Sequence, residues 1–139
     1  MVDAGRLRSL LERVREELGH LQRLAGLQPN EVLSDPDLMA AVKYRFIVAI
    51  ESCIDAGQHA IASEGFRAPA DFADVFTVLG EHEVLEPELV PSLQQMARFR
   101  NLLVHGYERV DDARVLEILR TRLPDIEAFV EQIAGLADT

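Results

Sequence analysis

Between Arg100 and Tyr107 the chain reads Arg100-Asn101-Leu102-Leu103-Val104-His105-Gly106-Tyr107, an arginine, an amide, a histidine and a phenol within eight positions. A guanidinium stays charged at any biological pH and can grip a phosphate through two parallel N–H bonds. An imidazole takes or gives a proton near neutrality. Together they are the minimum kit for breaking a phosphodiester. Arg98, two positions ahead, adds a second cation to the same segment.

The elements that must present this segment are helices. Sustained apolar/polar alternation and Asn-Gly or Asp-Gly hairpin turns are both missing, whereas three- and four-residue apolar spacing recurs along the chain. Leu7, Leu10, Leu11, Val14, Leu18, Leu21 and Leu24 stripe a first helix over about 4–25, with Gly26 and Pro29 as stop signals. Asp35-Pro36-Asp37 opens a long second helix reaching about Ser63, ended by Gly65. Asp71 opens a short third helix to about Glu81 that should bury Phe72, Val75, Phe76 and Leu79. A fourth spans about 87–104, and a fifth runs from Asp111 or Asp112 to about Leu136, kinked or divided by Pro124. The expectation is a single-domain, all-α, up-and-down bundle of about five helices over residues 1–139.

Arg100 lies on the face of the fourth helix shared by Leu93, Ala97 and Val104, where the pattern calls for a core residue. It must snorkel, find a carboxylate or line a pocket. Arg100 and His105 are five positions apart, so they point about 140° apart on a regular helix. Acting on one phosphate requires either a loosened helix near Gly106 or a second copy of the chain. A structural role reads the same residues as well, since an arginine and a histidine near a helix C-terminus complement its dipole. The strip Glu51, Ser52, Asp55 and His59 also admits alternatives. Asp55 and His59 have the spacing of a metal pair, but a solvated face or an intrahelical ion pair is the commoner use of such spacing. A third reading turns the strip toward Arg100 to steady it, with Asp55 and Arg98 as supporting residues.

Composition narrows the function classes. Hydrophobic residues make up 48% and charged residues 27%, a globular balance. The run Phe46–Ile50 is far short of the roughly 20 residues that span a bilayer, and arginines and glutamates interrupt the N-terminal stretch where a signal peptide would be apolar. Cys53 is the only cysteine and fits a core position, so the cytoplasm is the expected compartment. A net charge of -10 argues against a general nucleic-acid coat. It leaves room for a local cationic pocket, because Arg98, Arg100, Arg109, Arg114, Arg120 and Arg122 crowd into 25 positions. Lys43-Tyr44-Arg45 could add positive charge, but three residues are no patch.

The Arg-x4-His-x-Tyr pattern, with its polar Asn101 after the arginine, resembles the motif of the HEPN superfamily, in the form found in HepT toxins of HEPN/MNT toxin–antitoxin pairs. The small α-bundle size, the Ala-rich Ala49–Ala62 stretch and Glu108-Arg109-Val110-Asp111 leading into a last helix extend the resemblance over most of the chain. It implies the toxin of a type VII-like system, a metal-independent endoribonuclease with neither metal nor cofactor, acting on RNA as a homodimer. Arg100, Asn101 and His105 are then catalytic. Tyr107 is the acceptor for AMP groups attached by an MNT nucleotidyltransferase antitoxin. The competing class is a non-catalytic helical module that docks such a nucleotidyltransferase through the same segment.

Overall fold

A computed structural model of the chain describes residues 3–106 and 109–138. Among these the structure is helical, with no strand. In chain order the helices are α1 (Ala4–Ala25), α2 (Pro29–Ser34), α3 (Pro36–Glu64), α4 (Phe72–Glu81), α5 (Leu89–His105), α6 (Asp112–Thr121) and α7 (Leu123–Ala134).

Local chemistry accounts for the ends. The carboxylate of Asp35 accepts from the backbone N–H groups of Asp37 at 2.9 Å and Leu38 at 3.3 Å, and Pro36 occupies the first turn, where its missing N–H costs nothing. Asp3, Asp71 and Asp111 cap α1, α4 and α6 in the same manner. Each such cap contributes about 1 kcal/mol. At the far end of α3, Gly65 turns left-handed at φ 72°, a conformation that costs other residues about 1–2 kcal/mol.

The sequence expectation of about five helices becomes seven among the described residues. Pro124 divides the last pattern outright: α6 stops at Thr121 and α7 restarts at Leu123, with the proline in its first turn. The short α2 fills the connection after Gly26, its single buried residue Val32 tethering it to the core. Six residues are too few to show an apolar period in sequence.

α3 is the central post, and each of the other six helices packs against it. Its apolar side chains point in several directions, as a helix surrounded by neighbours requires. Phe46 of α3 meets Phe99 of α5 edge to face, ring centroids 5.3 Å apart, and Phe76 of α4 meets Phe129 of α7 at 5.8 Å. α4 approaches closely because Gly57 has no side chain. A Cβ there would sit 2.6 Å from Val75 Cγ1. Buried Ser52 satisfies its hydroxyl on the Val48 carbonyl at 2.7 Å. Cys53 is sealed in the same core, and burial pushes its thiol pKa well up. Among the described residues, no helix is long and apolar enough to cross a membrane.

Candidate functional site

α5 carries the segment, and its packing on α3 decides where Arg100 goes. The Phe46–Phe99 contact sets the two helices side by side, and one residue later Arg100 reaches Glu51. Its Nε and Nη2 donate to a single carboxylate oxygen, Glu51 Oε2, at 2.9 and 2.7 Å. Nη1 donates to Asn101 Oδ1 at 3.0 Å. The guanidinium carbon lies 5.1 Å from the centre of the Phe72 ring. Only 15% of the Arg100 side chain is exposed. A guanidinium has five N–H donors, so three internal bonds leave one free on each terminal nitrogen, the fork that a phosphate accepts.

Arg100 thus forms one wall of a depression of about 230 Å³ shared with Glu51, Ile54, Asp55 and Phe72. Of the strip on α3, Glu51 and Asp55 face this depression, and Ser52 and His59 do not line it. Glu51 makes the contacts, while Asp55 lies one turn further along the same face and lines the depression without bonding to it. Burial and then the neighbouring Glu51 raise the Asp55 carboxyl above its ordinary pKa, with Arg13 and Arg6 opposing. His59 Nε2 is buried without a hydrogen-bond partner. Among the described residues no group of three or more histidines, cysteines or acids is arranged to hold a metal ion.

His105 is the last residue of α5 and is exposed, as is Asn101. The helix continues unbroken to His105, and Gly106 follows as its C-cap, donating its N–H to the Leu102 carbonyl at 2.8 Å. The helix therefore does not loosen before the histidine, and Arg100 and His105 leave one chain on different faces of α5. Arg98 falls on the His105 side, lining a groove between α5 and α6. Tyr107, the expected modification site, lies outside the described residues.

Several expectations need correction. Phe72 is not core: it is 36% exposed, and its ring lies beneath the Arg100 guanidinium. Lys43 is buried and bound to Asp112 at 2.8 Å, and Arg45 is held by Glu17 at 3.2 Å, so Lys43-Tyr44-Arg45 ties helices together. The role of Phe72 was hidden in sequence, since a phenylalanine after a helix cap reads as core. Glu51 was visible in the strip, but nothing local distinguished it from Asp55.

Comparison with known proteins adds an independent line. An mRNA nuclease HepT of Shewanella oneidensis is 29% identical over 83 residues, which span 60% of this chain and 62% of that protein, just under two thirds of its length. A tRNA nuclease HepT of Aphanizomenon flos-aquae is 24% identical over 124 residues, 88% of this chain and 84% of the other. The fold matches a tri-AMPylated HEPN toxin of Shewanella oneidensis, solved in complex with MNT antitoxin, with a TM-score of 0.86 at 23% identity, covering 97% of this chain and 99% of that one. The sequence profile of the family described as Ribonuclease HepT-like matches residues 14–133. A match of that extent, on a chain with this fold and motif, means that the protein belongs to the HepT-like ribonuclease family.

Proposed function

We propose that this chain is the toxin of a type VII-like HEPN/MNT pair, a cytoplasmic endoribonuclease that cuts RNA as a homodimer without metal. The observation that carries this reading is Arg100. It is fixed on three internal bonds with two N–H groups left over, on the same helix that ends in an exposed imidazole. Because the helix stays regular to His105, one chain does not direct both groups at one phosphate, and a second copy supplies what the first lacks.

In such a dimer one His105 imidazole takes the proton from a ribose 2′-hydroxyl. The 2′-oxygen attacks the adjacent phosphorus, the P–O5′ bond breaks, and the imidazolium of the other copy protonates the departing 5′-oxygen. Arg100 holds the phosphate and offsets the charge that builds on its oxygens. Asn101 keeps the guanidinium aimed through its side-chain carbonyl. Silencing follows from AMP transfer by an MNT nucleotidyltransferase. The Tyr107 phenolic oxygen bonds to the α-phosphorus of a nucleoside triphosphate, pyrophosphate leaves, and the phenolic proton is released. An anionic adduct two residues from His105 obstructs the site and repels a phosphate.

RNA cleavage in the presence of EDTA tests the reading. His105→Ala should lower the rate about 10²–10⁴-fold, the usual contribution of a general acid–base. Cleavage that survives unchanged removes His105 from the mechanism. A docking module would cut no RNA and would bind the nucleotidyltransferase equally well with or without that substitution.

A further inference from the structure

The groove between α5 and α6 holds about 470 Å³, within the roughly 300–1,000 Å³ typical of ligand sites. It follows the side of α5 that leads to His105: Arg98 and Leu102 line it, and His105 comes next on the same face at helical spacing. Phe99 and Ile118 form its floor, and Leu102, 43% exposed, offers an uncovered apolar wall. Arg98, Arg109, Arg114 and Arg122 stand around it.

The arginines are unequally occupied. Arg114 is held by Glu117 at 2.7 Å, and Arg122 has Asp125 at 3.7 Å and Gln95 at 3.5 Å. Arg98 and Arg109 have no carboxylate partner among the described residues. The acid on the groove wall, Asp111, is turned to the Ala113 N–H at 2.9 Å, where it caps α6. A chain of net charge -10 therefore places two guanidinium groups that have no carboxylate partner among the described residues at the rim of an apolar groove, on the side of α5 that ends in His105. Apolar floor and cationic rim are the two needs of an unpaired nucleotide, whose base seeks a flat apolar contact while its phosphates seek arginine. A duplex keeps its bases stacked inside and could not use the floor.

We propose that this groove is a subsite for single-stranded RNA. It takes the nucleotide next to the scissile link, the base against Leu102 and Phe99 and the two flanking phosphates on Arg98 and Arg109. The identity of the ligand rests on the ribonuclease reading, but its binding can be measured without cleavage.

The probe is a fluorescein-labelled single-stranded RNA with 2′-O-methyl riboses, which lacks the attacking hydroxyl. Its binding is followed by anisotropy across a salt series. Arg98→Gln/Arg109→Gln should weaken binding about 10-fold and flatten the plot of log K against log salt by about 1.4, or about 0.7 for each phosphate left without its arginine. Arg15→Gln/Arg23→Gln removes the same charge from α1, away from the groove, and should do neither. Equal weakening in the two double variants, or an unchanged slope, overturns the subsite. Cleavage of ordinary RNA separates the two proposals. A wild-type protein that binds as described yet never cuts keeps the subsite and loses the nuclease. One that cuts, while the groove variant binds no worse than the control, loses the subsite alone.

Discussion

Arg100 stands where the apolar pattern of α5 calls for a core residue, and Glu51 is what makes that tolerable. A hydrogen bond to a charged group contributes about 1.5–3 kcal/mol when buried. Glu51 is 41% exposed, so solvent screens the pair and about 1 kcal/mol is the sounder expectation. A double-mutant cycle with Glu51→Gln and Arg100→Met in urea should return a coupling of that size. A coupling indistinguishable from zero would make Glu51 a bystander. The sequence exposed the conflict at Arg100 and offered a strip of partners, yet Glu51 and Asp55 share one helical face and nothing local separates them. The choice is made where α5 crosses α3, fixed by the Phe46–Phe99 contact across more than fifty residues of chain. Phe72 was misjudged for the same reason, its neighbour being distant in sequence.

Helix ends were the most legible part of the chain, because caps are local. Asp35-Pro36, Gly65, Asp71 and Asp111 announce their boundaries by chemistry that needs no tertiary partner. What sequence could not convey was how near the helices come. Gly57 looks dispensable inside α3, yet it is the point where Val75 and Leu79 of α4 press against the central post. Gly57→Ala should therefore cost about 1–3 kcal/mol through overpacking, read as a lower urea midpoint at constant slope. Gly19→Ala in α1, with no atom within 4 Å of the new methyl, should instead stabilise by about 0.5–1 kcal/mol. If both substitutions stabilise, α3 and α4 are not in contact at that point.

At the scale of the whole molecule, behaviour in acid depends on how its many carboxylates are held. Arg67 follows the cap of α3 and clasps both Asp74, at 2.8 and 3.0 Å, and Glu81, at 2.9 and 3.2 Å, joining the α3–α4 connection to α4. Its hydrogen bonds, with one from the Ala70 N–H, hold the Asp74 carboxyl down at about 2, from 3.8. A depressed carboxylate pKa means stability that is fully present above the ordinary value and lost as pH falls between about 4 and 2. Arg67→Met should move the acid-unfolding midpoint to higher pH, with little change in stability at pH 7 after screening; circular dichroism against pH checks it, and an unmoved midpoint removes the clasp from acid tolerance. The sealed interior carries a further consequence through Cys53. With its thiol enclosed and its ionisation suppressed, peroxide and disulfide reagents have no nucleophile to meet on the intact bundle. Redox chemistry at that sulfur is confined to moments when the central helix opens, so oxidised molecules carry a record of their own unfolding.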